Sequence, residues 1–222
     1  SGPADLAARA PLTLVGGSAA RVVTGQGEIV SSEAEELILV DEKDRTVGYR
    51  SKADCHDREG RLHRAFSVFV FNGQGEVLLQ QRAPGKRLWP LFWSNSCCSH
   101  PRRGESMEEA LHRRLAQELR IACRLHFLYK FRYQASFGEA GSEHELCSVY
   151  VGRSDDLVRA NATEIKDCRY VRPDALDWEI ESNPDAFTPW FKLEWPRVRD
   201  AVRDGALNDL RAPNEPPRGA CG

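Results

Sequence analysis

Met107, Leu111, Leu115 and Leu119 stand four residues apart behind Ser106, whose Ser-x-x-Glu step with Glu109 makes a capping box. Apolar side chains at that spacing line one face of a helix, so this segment must bury a stripe against something. What flanks it decides the architecture. Upstream, "EELILVDEKDRTVGYRS" reads as a strand, a polar turn and a short strand, and "RAFSVFVFNGQGEVLLQQR" as a hairpin around Asn72-Gly73-Gln74-Gly75. Downstream come the strand-like runs "RLHFLYKFRYQAS", "ELCSVYVGR" and "DCRYVRP", then a helix from about Pro189 to Arg203. Strands, one helix, strands and a final helix point to an α+β sandwich rather than a doubly wound parallel sheet. The apolar stripe leaves Arg113, Arg114, Gln117 and Glu118 on other faces, so Glu118 is expected to act from the helix edge or from solvent.

With 222 residues, 41% of them hydrophobic, the chain can bury one good-sized core. One domain is expected, spanning residues 33–205. Residues 1–32, rich in Ala, Gly, Ser and Val without a sustained period, read as a loose or peripheral extension, and 206–222, ending in Pro and Gly-rich sequence, as a flexible tail. The 33 acids and 31 bases leave a formal charge of -2, which supplies no global field for nucleic acid. No run approaches the roughly 18 apolar residues of a membrane span, and the start lacks the basic and apolar regions of a secretory leader. A cytoplasmic protein with no nucleic-acid or membrane partner is expected. Seven cysteines, Cys55, Cys97, Cys98, Cys123, Cys147, Cys168 and Cys221, contain no CxxC pair, which argues against a disulfide framework and a zinc ribbon.

The chemistry concentrates in a few places. Alternate side chains of a strand share a face, so Cys98 and His100 fall together while Cys97 turns away, and Glu143 pairs with Glu145 while His144 turns away. With His56 and His63, from "DCHDREGRLHRAF", they make three imidazoles and two carboxylates, a mixed N/O set suited to Zn²⁺, Mn²⁺ or Fe²⁺ rather than to a closed structural zinc site. Each piece alone has an ordinary reading: solvent-exposed histidines in a charged loop, a buried structural thiol, solvated acids after a turn, and surface charges at Lys52, Arg82, Lys86 and Arg87.

Joint spacing changes that reading. The segment from Ser99 to Ile121 resembles a degraded Nudix box, G-x5-E-x7-R-E-U-x-E-E-x-G-U with U a bulky apolar residue. Ser99 stands at the first Gly, Glu105 at the first Glu and Arg113 at the Arg; Arg114 and Gln117 replace acids, Glu118 is retained, and Arg120 replaces the closing Gly. Family pyrophosphohydrolases hold metals on that Glu cluster, so losing two members argues against ordinary diphosphate hydrolysis. A fuller match runs from about Leu37 to Trp195. "LVDEKDRTVGYRSKADCH", "HRAFSVFVFN", "QRAPGKRLWPLFWSNSCCSHPRRGES", "FRYQA", "SEHELC" and "AFTPWF" stand in the order and spacing of the type 1 isopentenyl-diphosphate delta-isomerases, which the chain resembles. The resemblance implies a single-domain Nudix-like α/β/α sandwich with a mixed sheet.

It also implies roles. His56, His63, His100, Glu143 and Glu145 would surround one divalent metal (Mn²⁺, Zn²⁺ or Mg²⁺). Cys98 would be the catalytic thiol, Glu145 the catalytic carboxylate, Tyr133 its helper, and Trp190 the wall of the carbon pocket. Lys52, Arg82 and Lys86, with Ser99, would bind the diphosphate, and Glu118 would help hold the Mg²⁺ that arrives with it. No flavin or nicotinamide is needed, and the partner would be a small prenyl diphosphate, bound by a monomer or weak dimer. The implied reaction moves a double bond by adding a proton to an alkene and removing another through a tertiary carbocation. A cation over an indole face gains only about 2 kcal/mol, whereas enzymes lower barriers by roughly 8–23 kcal/mol. The rest is expected from prepositioned groups, Cys98 as thiolate and Glu145 as carboxylate, in a pocket that "RLWPLFW" and "FTPWF" close to water.

Overall fold

The computed structural model describes residues 22–25 and 27–210. Its strands are β1 (Val22–Gly25), β2 (Glu36–Val40), β3 (Thr46–Ser51), β4 (His63–Phe71), β5 (Val77–Arg82), β6 (Trp93–Ser94), β7 (Cys97–Ser99), β8 (Leu125–Ser136), β9 (Ser142–Arg153), β10 (Val158–Asn161) and β11 (Ile165–Val171). Helices α1 (Lys52–His56), α2 (Met107–Leu119), α3 (Pro173–Ser182) and α4 (Pro189–Arg203) join them. α2 and α4 lie where the sequence pattern places them; α1, α3 and β10 carried no periodicity long enough to reveal them.

β4 organises the fold. It runs parallel to β9 along its whole length and antiparallel to β2, β7 and β5 in turn on its other side, which makes the nine-stranded sheet mixed. Its side chains are buried on both faces, as in a central strand covered twice. Phe66, Val68 and Val70 pack with Leu111, Leu115 and Leu119 of α2. Phe69 and Phe71 pack with Trp190, Phe191, Trp195 and Val198 of α4. The result is a helix/sheet/helix sandwich. Each α2 leucine withdrawn from water contributes about 1.5–3 kcal/mol, and the capping box at Ser106 and Glu109 forms.

The expected hairpin opens almost at once. β4 and β5 pair only at Phe71 and Val77, then diverge around β6 and β7. Ser96 holds the gap by donating to the Leu78 carbonyl (2.6 Å) and accepting from Val70 N (2.8 Å). That splay opens the middle of the sheet for the segment bearing Cys98.

A second departure concerns α2. Arg114 and Glu118 are not at its edge in solvent but 3% and 2% exposed, ion-paired at 2.5 Å. One turn apart, they neutralise each other, which makes the burial of both charges tolerable. The described part of the N-terminal extension is docked rather than loose. β1 pairs with β10, and the Val30 carbonyl accepts from Arg114 (3.1 Å). Ala206, Leu207 and Leu210 pack on the α4 side of the core. The rest of the two expected tails, with Cys221, lies outside the described residues.

Candidate active site

Strand register assembles the site. His63 of β4 stands beside Glu145 of β9, and Glu145 beside Tyr133 of β8, so three residues distant in sequence form one row across three strands. Cys98 of β7 pairs with Ser67 of β4. Cys98 belongs to the α4 side of the sheet and Cys97 to the α2 side.

His56, His63, His100, Glu143 and Glu145 each bring one ligand-type atom within 4.8 Å of all the others. His56 and His63, which taken alone read as ordinary loop histidines, are both buried, and the short helix α1, capped by Ser51, carries His56 inward. Nδ1 of His56 meets the Lys52 carbonyl at 2.8 Å and Nδ1 of His63 the Arg61 carbonyl at 2.7 Å. A carbonyl only accepts, so Nδ1 carries the proton and each Nε2 presents its lone pair to the cluster. There, Nε2 of His56 lies 2.9 Å from Oε2 of Glu143, and both atoms are buried without a hydrogen-bond partner, as is Nε2 of His63. Facing lone pairs in a buried space call for a cation. The donor set fits a divalent metal.

The site's charges respond to that crowding. Burial works against a proton on His56, but facing Glu143 outweighs it and moves the pKa up. Burial, reinforced by His56, takes His63 down to about 4. Burial disfavours the Glu143 carboxylate, yet His56 carries its pKa well below the ordinary range. Glu145 moves well above that range through burial and then the Glu143 charge. Its two oxygens are divided: Oε1 lies 2.9 Å from Nε2 of His100, and Oε2 accepts from the Tyr133 hydroxyl at 2.7 Å.

Beside this cluster is a cavity of about 270 Å³ walled by Cys98, Tyr133, Glu145 and Trp190, with Lys52, Arg82, Lys86 and Ser99. That is just below the roughly 300–1,000 Å³ of drug-sized ligand pockets, which suits a small ligand. Burial pushes the Cys98 thiol up to about 12 even though Arg82, with Nη1 4.0 Å from Sγ, opposes it. Burial thus favours the thiol form of Cys98. The Trp190 indole N–H donates to Ser94 Oγ (3.1 Å) and Asn95 Oδ1 (3.3 Å), and Asn95 Nδ2 donates to the Cys97 carbonyl (2.8 Å). Asn95 thus ties the indole to the Cys98 strand. Arg82 donates from Nη2 to the Leu88 carbonyl (2.8 Å) and from Nε to the Trp89 carbonyl (3.0 Å), and its guanidinium carbon stands 5.3 Å from the Trp190 ring centre. Trp89 and Leu91 on that loop have φ of 46° and 68°, strained for non-glycine residues beside a site.

Glu118 stands apart from the other expected residues: Oε1 accepts from Arg114 Nε (2.9 Å) and Nη2 (2.5 Å), and Arg114 lines the cavity. Ser31, Glu33 and Glu164 also line it, although no local pattern marks them. Lys52 Nζ reaches Ser31 Oγ at 2.8 Å and Glu33 at 3.6 Å. Only long-range packing brings these residues in.

Known proteins match this architecture. The NUDIX domain family model covers residues 61–191. Isopentenyl-diphosphate Delta-isomerase 1 of Photorhabdus laumondii is 44% identical over 163 residues, 72% of this chain and 93% of that protein. The Nocardia farcinica isopentenyl-diphosphate Delta-isomerase is 44% identical over 69% of this chain and 88% of its own. Among solved structures, DR0079 from Deinococcus radiodurans superposes with a TM-score of 0.56 at 29% identity, covering 67% of this chain and 90% of that one. A MutT protein from Methanosarcina mazei, 15% identical, shares the fold with a TM-score of 0.54, over 64% of this chain and 96% of its own. A family match across more than half the chain, with such identity over most of each relative, means that this protein belongs to the NUDIX family and, within it, to the isopentenyl-diphosphate Delta-isomerases.

Proposed function

We propose that the protein interconverts isopentenyl diphosphate and dimethylallyl diphosphate, with Cys98 and Glu145 as the proton-transferring pair. The observation that carries the reading is that Cys98, Glu145 and Trp190 line one small cavity together with Lys52, Arg82 and Lys86. A proton passes to the terminal alkene carbon, a tertiary cation forms, and a proton leaves the carbon two away. Cys98 and Glu145 divide these transfers and exchange acid and base roles when the direction reverses. The thiol form makes Cys98 a proton carrier, and Arg82 beside Sγ stabilises the thiolate once formed. Tyr133 fixes Oε2 of Glu145, and the Trp190 face steadies the cation. Trp89, 5.2 Å from Trp190 between ring centres, and Phe137, 5.2 Å from Trp89, close the aromatic side against water, which would capture the cation as an alcohol.

His56, His63, His100, Glu143 and Glu145 would hold one divalent metal, Mn²⁺, Zn²⁺ or Mg²⁺, and Glu118 would face the Mg²⁺ that accompanies the diphosphate. Such a metal would favour the carboxylate form of Glu145 and orient it. Lys52, Arg82 and Lys86, with Ser99, anchor the diphosphate, whose binding energy orients the small apolar tail. Hydrolysis of a nucleoside or prenyl diphosphate is not favoured, because Arg114 and Gln117 stand where the hydrolase box has acids.

Proton NMR of isopentenyl diphosphate with the protein and Mg²⁺ in D₂O tests the reading. Deuterated dimethylallyl diphosphate without free phosphate is expected; unchanged substrate or released phosphate would overturn it.

A further inference from the structure

We propose that Glu164 is a positioning residue for the diphosphate, holding Lys86 and Arg114 side by side as a paired-cation receptor. Glu164, 4% exposed, lies between β10 and β11, and its Oε2 forms ion pairs with both Lys86 Nζ and Arg114 Nη2, the latter at 3.2 Å. Two cations converging on one oxygen would repel without the anion between them. The carboxylate is itself presented from a fixed backbone: Glu164 N donates to the Asn161 carbonyl (3.0 Å), and its own carbonyl accepts from Ala83 N (3.0 Å).

Each other cation at the cavity has an independent anchor. Arg114 is held by Glu118 and by the Val30 carbonyl, Arg82 by the loop carbonyls of Leu88 and Trp89, and Lys52 by Ser31 and Glu33. For the flexible four-carbon stem of Lys86, Glu164 is the anchoring partner. An ammonium has three donors and a guanidinium five, so both cations can keep Glu164 and still turn donors to a phosphate oxygen. Glu164 therefore prepares the receptor rather than competing for it, and lowers the ordering cost of binding.

The inference rests on the isomerase reading for the identity of the anion, but its test has an arm that needs no turnover. Calorimetry of Mg²⁺-pyrophosphate binding and steady-state kinetics with isopentenyl diphosphate are compared for wild type, Glu164→Ala, Glu164→Gln and Glu164→Asp. The alanine variant is expected to raise the pyrophosphate Kd and the KM together by about tenfold, the scale of one charge-assisted contact, and to leave kcat within about threefold. Glu164→Gln, which keeps the packing, should show the same direction, and Glu164→Asp should recover part of the loss. In a Lys86→Ala background, Glu164→Ala should add less than about twofold, because it acts through that lysine. Unchanged Kd in both variants, tighter binding, or an undiminished effect without Lys86 would overturn the proposal. So would a loss of kcat and thermal stability alone, which would mark a purely structural ion pair. A wild type that binds pyrophosphate in this Glu164-dependent way without isomerising substrate would overturn only the isomerase reading.

Discussion

The Tyr133 hydroxyl donates to Oε2 of Glu145 at 2.7 Å, on the opposite oxygen from the one that His100 approaches. The carboxyl group is thus gripped from both ends. A hydrogen bond to a charged group is worth about 1.5–3 kcal/mol, so Tyr133→Phe should lower kcat by roughly ten- to a hundredfold. KM should change little, because Tyr133 does not hold the diphosphate. Steady-state kinetics checks both numbers, and a kcat near that of wild type would remove Tyr133 from the reaction.

Cys98→Ala and Glu145→Gln should each abolish turnover while leaving pyrophosphate affinity close to wild type. Cys97→Ala should keep its activity, since that side chain is buried among the α2-facing residues on the other side of the sheet. Calorimetry beside the NMR assay separates binding from chemistry. If the Cys97 variant is the dead one, the assignment of the thiol is wrong.

Removal of the metal should cost stability as well as activity, because a ligand that binds only the folded chain stabilises it by mass action. Dialysis against a chelator is expected to lower the melting temperature by on the order of 10 °C, and a divalent metal should restore it. His63→Gln, which deletes a fully buried lone pair of the cluster, should hold less metal by elemental analysis and be insensitive to the chelator.

Glu194 gives the chain a pH-dependent weakness. It is buried in α4 with Oε1 3.6 Å from Cys147 Sγ and Oε2 without a hydrogen-bond partner, and burial pushes its pKa from 4.5 up to about 8. The folded chain holds that proton while the unfolded chain has released it. Stability attributable to the neutral carboxyl is therefore intact below pH 4.5 and lost as pH rises through about 8. Glu194→Gln should flatten this dependence, gaining melting temperature over wild type at pH 9 but not at pH 4. Parallel melting curves for the two proteins across that range would refute the assignment.

Arg120 ends α2 in the left-handed region, with φ 58° and ψ 33°, at the position where the Nudix box has its closing glycine. A side chain there costs about 1 kcal/mol. Arg120→Gly should raise the melting temperature by roughly 2–4 °C for a domain of this size, with turnover unchanged. Calorimetric melting decides it.

Local signals explain what could be read from the chain alone. Leucines four residues apart behind a capping serine, and the Pro189 start of α4, specify helices through contacts within a few residues. Strand alternation likewise put Cys98 with His100, and Glu143 with Glu145, on shared faces. The spacing of the Cys, His and Glu motifs carried the family. What the chain could not declare locally was which strands lie side by side. The row His63, Glu145, Tyr133 exists because β9 is inserted between β4 and β8. Likewise, Cys98 reaches the cavity because β4 and β5 part after a single pair. The burial of Arg114 and Glu118, and the arrival of Glu164 beside Lys86, depend on the same assembly. A helix face or strand parity is set by backbone geometry over a few residues. A buried charge is set by the partners that the whole fold brings to it, and those only tertiary packing decides.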